Sequence, residues 1–253
     1  MNKYSATKTA FFTDLQSKKT KKAFVFVHGF NVSFEEAAKR TAQMSYDLSF
    51  EGTPIFYSWP SQGETSKYVH DGQNIEYSEP HIKQFIKDLL VKLPNHEIYL
   101  VAHSMGNRGL TKALVSLFKE NQGYAKRIKE IILAAPDIDA EIFKRDIAPN
   151  LVEYGNSVTL YASSTDLALI ASKKVNGYQR AGDAGNDIVI VDGIETIDAT
   201  DMDTGFLGHS YFGSTRSVLG DIDLLIDHSL KADKRVGLKK EVSTKGQYWK
   251  FKK

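Results

Sequence analysis

A serine framed by small residues, Ser104, follows an apolar run near the middle of the chain. Residues 98–103 read Ile-Tyr-Leu-Val-Ala-His, and Ala102 and Gly106 stand two positions before and two positions after the serine. The following segment, 111–118, has helical spacing. This pattern between a strand and a helix is typical of a nucleophile elbow, where a tight turn strains the serine backbone and exposes its hydroxyl. Ser104 is therefore the predicted nucleophile, with a simple helix N-cap as the alternative.

Upstream, a short apolar run ends directly in a His-Gly pair. The run 22–27 reads Lys-Ala-Phe-Val-Phe-Val and predicts a buried strand before residues 28–29. In this arrangement a backbone N–H just after the glycine points at the oxygen that becomes negative during acyl transfer. His28 itself is predicted to be a turn residue bonded to neighbouring backbone. The candidate oxyanion-hole donors are the backbone N–H groups of Phe30, Asn31 and Met105.

The acid is expected after a later strand, because chain order in this architecture is nucleophile, acid, histidine. Two apolar runs, 130–135 and 157–162, follow the helix, and Asp166 comes after the second. Asp166 is the predicted acid, although it also precedes a helix that it can cap. Asp137, after the earlier run, is the alternative acid.

Only two of the seven histidines, His209 and His228, follow Asp166. His228 lies in an amphipathic helical stretch, whereas His209 lies in a glycine-punctuated loop from which it can reach a serine hydroxyl. We therefore predict that His209 accepts the proton of Ser104 and then protonates the leaving group. Asp166 would fix the tautomer of the histidine and stabilise its positive charge.

The surroundings of His209 give a first indication of substrate. Apolar residues near it are candidates for the substrate pocket, and core packing would explain them equally well: Phe206, Leu207, Tyr211 and Phe212. The segments 60–77 and 176–186 are polar and predicted to be loops, so no apolar lid is expected. Within the second loop, Arg180 is expected to form an ion pair with Asp183, and the alternative is a contact with a carboxylate or phosphate of the substrate. This composition favours a small or polar-headed ester, thioester or amide as substrate.

Six segments together resemble the bacterial alpha/beta-hydrolase family of unknown function. They are HGFNVSF at 28–34, YSWPS at 57–61, AHSMGN at 102–107, YASSTD at 161–166, RAGD at 180–183 and DTGFLGHSYF at 203–212. The resemblance runs from about residue 22 to about residue 228. It implies an alpha/beta-hydrolase fold and carries Ser104, Asp166 and His209 as the triad, but it supplies no substrate. About twenty residues precede the first strand, so the family's opening antiparallel strands are expected to be short or missing.

Strand and helix patterns alternate along the chain. Strands are predicted near 22–27, 54–58, 97–102, 130–135, 157–162 and 188–197, and helices near 33–49, 78–92, 105–120, 139–147, 166–174 and 215–231. Ser33 and Glu36 form a predicted capping box for the first of these helices. Apolar strands separated by amphipathic helices favour the α/β class: an alpha/beta-hydrolase fold with a mostly parallel central sheet of about six strands and helices on both faces.

Composition favours one domain over residues 1–253, with an N-terminal segment 1–20 and a basic C-terminal tail 231–253. The tail holds nine Lys/Arg and two acids, a net charge of +7, whereas the whole chain has a net charge of +2. Tyr248, Trp249 and Phe251 alternate with its lysines, a pattern seen in weak contacts with anionic surfaces. The alternatives are a solvated tail or aromatic residues that dock on their own domain. No specific nucleic acid is predicted as a partner.

Several classes of protein are disfavoured by the sequence. No apolar run approaches the length of a membrane span and the first twenty residues lack a secretory apolar core, so a cytoplasmic location is expected. The absence of cysteine excludes disulfides and thiolate metal sites. We expect no metal and no cofactor. Two alternative functions share this fold: a non-catalytic module that binds a partner through the basic tail, and an acyltransferase with the same triad.

Overall fold

An eight-stranded sheet organises the protein in a computed structural model, which describes residues 7–185, 187–200, 202 and 215–252. The strands are β1 (Lys22–Val27), β2 (Thr53–Tyr57), β3 (Glu97–His103), β4 (Ile128–Ala134), β5 (Val158–Ala162), β6 (Ile194–Asp198), β7 (Leu238–Ser243) and β8 (Gly246–Phe251). Their order across the sheet is β2-β1-β3-β4-β5-β6-β8-β7, and every neighbouring pair is parallel except β7 with β8. The carboxyl ends of the parallel strands therefore share one edge.

Helices cover both faces of this sheet. They are α1 (Lys8–Ser17), α2 (Phe34–Asp47), α3 (Tyr68–Lys92), α4 (Gly106–Glu120), α5 (Ala140–Ile142), α6 (Ala148–Val152), α7 (Leu167–Asn176) and α8 (Thr215–Ile226), with a π-helical turn at Phe143–Ile147 between α5 and α6. Apolar residues of α1, α3, α4 and α6 pack on one face, and those of α2 and α8 pack on the other. None of the helices in the described parts of the chain is both long and apolar enough to cross a membrane.

The central strands follow directly from the sequence. The residues of β3, β4 and β5 are almost all buried, because helices cover both faces of a parallel sheet and both faces must then be apolar. The predicted capping box also forms: the Glu36 N–H donates to the Ser33 hydroxyl at 3.3 Å and the Ser33 N–H donates to the Glu36 carboxylate at 2.8 Å. The predicted α/β class with a mostly parallel central sheet is confirmed, with eight strands where about six were expected.

The segments that differ from prediction lie at the ends of the chain and beside the site. Residues 8–17 form α1, and no strand lies between residues 7 and 21, so no opening antiparallel strand precedes β1 in that range. Only the second half of the predicted strand 188–197 forms a strand, which is β6. The predicted loop 60–77 is wrong from residue 68 onward, where α3 begins.

The basic segment 231–253 contains the last two strands of the sheet. Strand β8 pairs in parallel with β6, and its Phe251 is only 4% exposed. The Arg235 side chain is fully buried and donates to Asp221 at 2.5 Å and to Glu195 at 2.7 Å. The sequence allowed either a solvated tail or aromatic residues that dock on their own domain. The structure shows the second arrangement for this segment.

Candidate active site

Ser104 lies at a sharp junction between β3 and α4, at the carboxyl edge of the sheet. Its backbone has φ of +49°, in the left-handed region that costs energy for any residue other than glycine. The Ser104 N–H donates to the carbonyl oxygen of Ala134 at 3.0 Å, which ties the turn to the end of β4. The strained strand-to-helix turn is the geometry that the sequence pattern predicted for residue 104.

Two glycines allow the backbone to pass close to this turn. A Cβ atom at position 106 would lie 2.3 Å from the carbonyl oxygen of His28 and 2.7 Å from that of Val27. A Cβ at position 29 would lie 3.2 Å from the Cβ of Ser104. The end of β1 and the elbow are therefore packed backbone against backbone, which brings the loop after Gly29 next to the serine.

Asn107 fixes the turn from inside. Its side-chain amide donates to the carbonyl oxygens of Ser104 at 3.0 Å and of Ala134 at 3.1 Å. The backbone N–H of Asp137 also donates to the Ser104 carbonyl, at 3.2 Å. The strained backbone of residue 104 is thus held by hydrogen bonds from two other segments.

The three candidate oxyanion donors lie beside the serine in sequence or in space. Phe30 and Asn31 follow Gly29, and Asn31 has φ of +56°. Met105 directly precedes α4, so its N–H is at the positive end of the helix dipole. Within residues 7–185 and the other described segments, none of these three N–H groups donates a hydrogen bond to a protein acceptor.

His28 is confirmed as a turn residue bonded to neighbouring backbone. Its Nδ1 is 2.9 Å from the carbonyl oxygen of Gly29, and its Nε2 accepts the N–H of Trp59 at 3.2 Å. Its ring stacks on the Trp59 indole with centroids 5.1 Å apart. Burial lowers the pKa of His28 despite the bonds with backbone groups that raise it. His28 is therefore a neutral imidazole that positions the loop after β1.

Asp166 lies four residues beyond the end of β5 and caps α7. Its Oδ1 accepts the N–H groups of Ala168 at 2.9 Å and Leu169 at 3.0 Å. In the described part of the chain, no group donates to its other carboxylate oxygen. Burial raises the pKa of Asp166, and the two backbone hydrogen bonds only partly oppose this. The cap predicted from sequence forms, and it leaves one oxygen available for a further donor.

Asp137, the alternative acid, is almost fully buried inside a set of four donors. Its Oδ1 accepts Nε of Arg180 at 2.9 Å and the hydroxyl of Ser172, and its Oδ2 accepts the hydroxyl of Tyr68 at 2.6 Å and Nη2 of Arg108 at 2.9 Å. Burial alone would raise the pKa of Asp137, but Arg108, the hydroxyl hydrogen bonds and Arg180 outweigh it and hold the pKa below its ordinary value. Since a carboxylate has about four acceptor positions, these donors occupy all of them.

Arg180 does not pair with Asp183 as the sequence predicted. It pairs with Asp137, and Asp183 instead accepts Lys173 at 3.0 Å. The reason is the path of the chain: Gly182 passes so close to β4 that a Cβ there would lie 2.5 Å from the carbonyl carbon of Ala135. The RAGD segment thus runs beside the end of β4 and turns Arg180 toward Asp137.

Sequence reasoning missed Arg108, Tyr68 and Ser172 as neighbours of the site. The sequence predicts a loop at Tyr68, whereas Tyr68 is the first residue of α3. Arg108 comes four residues after Ser104, directly after the elbow motif, and this proximity was the one available signal. Ser172 lies within an ordinary helical pattern that indicates no function.

His209 and the pocket candidates Phe206, Leu207, Tyr211 and Phe212 lie outside the described residues. The last described residues before them are tied to the acid-bearing loop: the Ser164 N–H donates to the Thr200 hydroxyl at 3.0 Å, and the Ala199 N–H donates to the Ala162 carbonyl at 2.8 Å. The chain therefore leaves β6 at the same edge of the sheet where Ser104 and Asp166 lie.

A parallel sheet covered by helices, with a strained serine at its carboxyl edge, defines an alpha/beta-hydrolase. A family model described as "Alpha/beta hydrolase of unknown function (DUF900)" matches residues 3–228. The chain belongs to this family, as the sequence motifs predicted.

Individual relatives are distant. An uncharacterized protein of Nostoc sp. (strain PCC 7120), alr1448, is 27% identical over 124 residues, which cover 39% of this chain and 32% of the relative. A crystal structure of an uncharacterized protein from Bacillus cereus superposes with a TM-score of 0.51 at 14% identity, over 85% of this chain and 62% of that one. An acetyl xylan esterase superposes with a TM-score of 0.47 at 15% identity, over 84% of this chain and 99% of the esterase. The chain spans about a third of the curated relative and about three-fifths of the Bacillus cereus structure.

Proposed function

We propose that the protein is a serine hydrolase that cleaves a small or polar-headed ester, thioester or amide through an acyl-enzyme intermediate. The observation that carries the proposal is the backbone of Ser104, which has φ of +49° at the junction of β3 and α4. Such strain persists only where surrounding structure imposes it, and here Asn107 and Asp137 both hold the turn. A serine that merely capped a helix would need no such conformation.

Attack on the substrate carbonyl would use Ser104 as nucleophile and His209 as general base. His209 would accept the hydroxyl proton as the bond to carbon forms, and the resulting imidazolium would then protonate the leaving alcohol, thiol or amine. Water would then attack the acyl carbon while His209 accepts its proton, and the imidazolium would protonate the Ser104 oxygen as it leaves and the acid is released. The N–H groups of Phe30 or Asn31 and of Met105 would stabilise the tetrahedral oxyanion, a contribution of about 3 kcal/mol per donor in comparable sites.

Asp166 is the acid that we propose for this triad. One of its oxygens takes no hydrogen bond from the described residues, so it can accept Nδ1–H of His209 while the other oxygen caps α7. Asp137 has no acceptor position left, because four donors surround it. This difference in available acceptors favours Asp166 over Asp137.

A polar substrate is favoured by the connection between β2 and α3. Residues 61–67 read Ser-Gln-Gly-Glu-Thr-Ser-Lys and follow the carboxyl end of β2, on the same edge as Ser104. A surface that engages aggregated lipid would require an apolar segment at such a place. We therefore propose a small or polar-headed ester, thioester or amide, and not an aggregated lipid, as the substrate class.

The test is labelling with a fluorophosphonate probe, which forms a covalent bond with an activated serine. Wild type should be labelled, Ser104→Ala should not, and both should unfold at similar urea concentrations. Ser116→Ala, in the middle of α4, is the matched control and should be labelled like wild type. A panel of p-nitrophenyl esters of increasing acyl length then tests the substrate class. Labelling of Ser104→Ala at the wild-type rate would refute the proposal.

A further inference from the structure

We propose that Tyr68 is a positioning residue for the oxyanion hole, held in place by the carboxylate of Asp137. This inference rests on the proposed function. It assigns a role to the group of buried polar residues beside Ser104 that the triad does not use. Tyr68 does not itself contact the reacting atoms; it acts through Phe30.

The first contact joins Tyr68 to the loop that follows β1. The rings of Tyr68 and Phe30 meet edge to face, with centroids 5.3 Å apart and planes inclined by 73°. Phe30 lies between Gly29 and Asn31, and its ring joins this part of the loop to the first residue of α3. The ring of Tyr68 therefore limits where the Phe30 backbone N–H can lie.

The second contact fixes Tyr68 itself. Its hydroxyl donates to Oδ2 of Asp137 at 2.6 Å and accepts Nη2 of Arg108 at 2.6 Å, and the Arg108 guanidinium lies 5.6 Å from the centre of the Tyr68 ring. Burial and the negative charge of Asp137 raise the pKa of Tyr68, so the hydroxyl remains a donor. Because Phe30 contacts the ring of Tyr68 and Asp137 and Arg108 bind its hydroxyl, the Tyr68 side chain is held in one orientation.

The third contact connects this group to the nucleophile. The backbone N–H of Asp137 donates to the Ser104 carbonyl at 3.2 Å, while the Asp137 side chain holds Tyr68. One residue thus contacts the nucleophile through its backbone and the oxyanion loop through its side chain and Tyr68. The distance between an oxyanion donor and the reacting oxygen must be held within a few tenths of an ångström, because preorganised donors act at 2.7–3.1 Å. The path Ser104–Asp137–Tyr68–Phe30 sets that distance.

Tyr68→Phe tests the inference, because it removes the hydroxyl and keeps the ring against Phe30. We expect kcat for a p-nitrophenyl ester to fall about 10-fold with KM within twofold, less than the ~10²–10³ lost when an oxyanion donor is removed outright. The affinity for a phenylboronic acid, which forms a tetrahedral anionic adduct with an activated serine, should fall by a similar factor. A change in kcat and boronate affinity without a change in KM reports on the oxyanion and not on general packing.

Tyr161→Phe is the matched control. Tyr161 donates an equally short bond, 2.6 Å, to the buried Asp221 on the other face of the sheet. The Tyr161→Phe variant should have a lower urea midpoint and unchanged kcat and boronate affinity.

If Tyr68→Phe keeps the wild-type kcat and boronate affinity while wild type is labelled at Ser104, the inference is wrong and the proposed function stands. Equal kcat losses in both tyrosine variants would also overturn the inference. A wild type that no fluorophosphonate labels would overturn the proposed function and the inference together.

Discussion

The backbone N–H of Asp137 donates a 3.2 Å hydrogen bond to the carbonyl oxygen of Ser104. A carboxylate so close to the nucleophile is a natural candidate for the triad acid, yet its two oxygens are already engaged, among others by Arg108 and Arg180. Asp166, one strand further along the sheet, keeps an oxygen available. Substitution by asparagine is therefore expected to lower mainly the activity at position 166 and mainly the stability at position 137.

Asp166→Asn should reduce activity strongly and leave stability unchanged or higher. Asparagine caps a helix as well as aspartate does, so α7 keeps its first hydrogen bonds. Burial raises the pKa of Asp166, which means that its ionised form costs the fold free energy that a neutral amide does not. An asparagine stabilises the wrong histidine tautomer, and kcat should fall by about 10⁴ as in other serine triads. The measurements are ester kinetics and urea unfolding of both proteins.

Asp137→Asn should instead destabilise the protein by about 3–5 kcal/mol, because it leaves Arg108 and Arg180 buried without a counter-charge. The pKa of Asp137 is lowered in the fold, so its ionised form stabilises the native state at neutral pH. This contribution should be lost as pH falls through the folded pKa. Urea unfolding at pH 7 measures the effect. A stable Asp137→Asn beside an unstable Asp166→Asn would reverse the two assignments.

Gly106→Ala should abolish labelling at Ser104 and lower stability. The new methyl group would lie 2.3 Å from the carbonyl oxygen of His28, and a backbone atom can move away only if the end of β1 shifts. Such overpacking costs about 1–3 kcal/mol or more. Gly220→Ala in α8 is the control, since the described residues outside the helix's own backbone place no atom within 4 Å of its added methyl group and alanine favours a helix. Normal labelling of Gly106→Ala would contradict the close packing of the elbow.

The elbow and the inner strands could be predicted because their signals are local. Strand β1 has the predicted bounds and β3 differs by one residue, since strands buried on both faces read as continuous apolar runs. The small residues at 102 and 106 are required by the turn itself. These features depend on neighbours in sequence, so one sequence is enough to find them.

The partners of Asp137 could not be predicted, because they come from distant parts of the chain. Tyr68 is 69 residues away and Arg108 is 29 residues away, and only the folded sheet brings them to one carboxylate. The start of α3 was missed because its first half is polar and Gly72 and Pro80 both disfavour a helix. Strands β7 and β8 escape prediction because they lie in a segment of high positive charge and read as a basic tail. Lysines such as Lys239 and Lys240 are common on an edge strand, where they discourage pairing with other chains.

Stability should fall as pH decreases below about 6.5, and His28 should be one cause. Burial lowers the pKa of His28 in the folded state, so the unfolded chain takes up a proton first as pH falls. The stability that neutral His28 provides is complete above its unfolded pKa and is lost as pH falls toward its folded pKa. Urea unfolding between pH 5 and 8 of wild type and His28→Gln measures this difference. A slope in His28→Gln equal to that of wild type would contradict the prediction.

The last two strands should be essential to folding, although the sequence describes residues 231–253 only as a basic tail. Phe251→Ala should cost about 3–5 kcal/mol, because Phe251 is 4% exposed and packs in the core that β8 closes. Val242→Ala in the neighbouring strand is the control, since Val242 is 72% exposed and its truncation should leave the stability almost unchanged.

Deleting residues 239–253 would remove the strand that pairs with β6, so the truncated protein should unfold or aggregate when expressed. Thermal unfolding of the two point variants and size-exclusion chromatography of the truncated protein are the measurements. A truncated protein that stays monomeric, folded and fully labelled at Ser104 would show that the sheet is complete at β6 and that the hairpin only covers it.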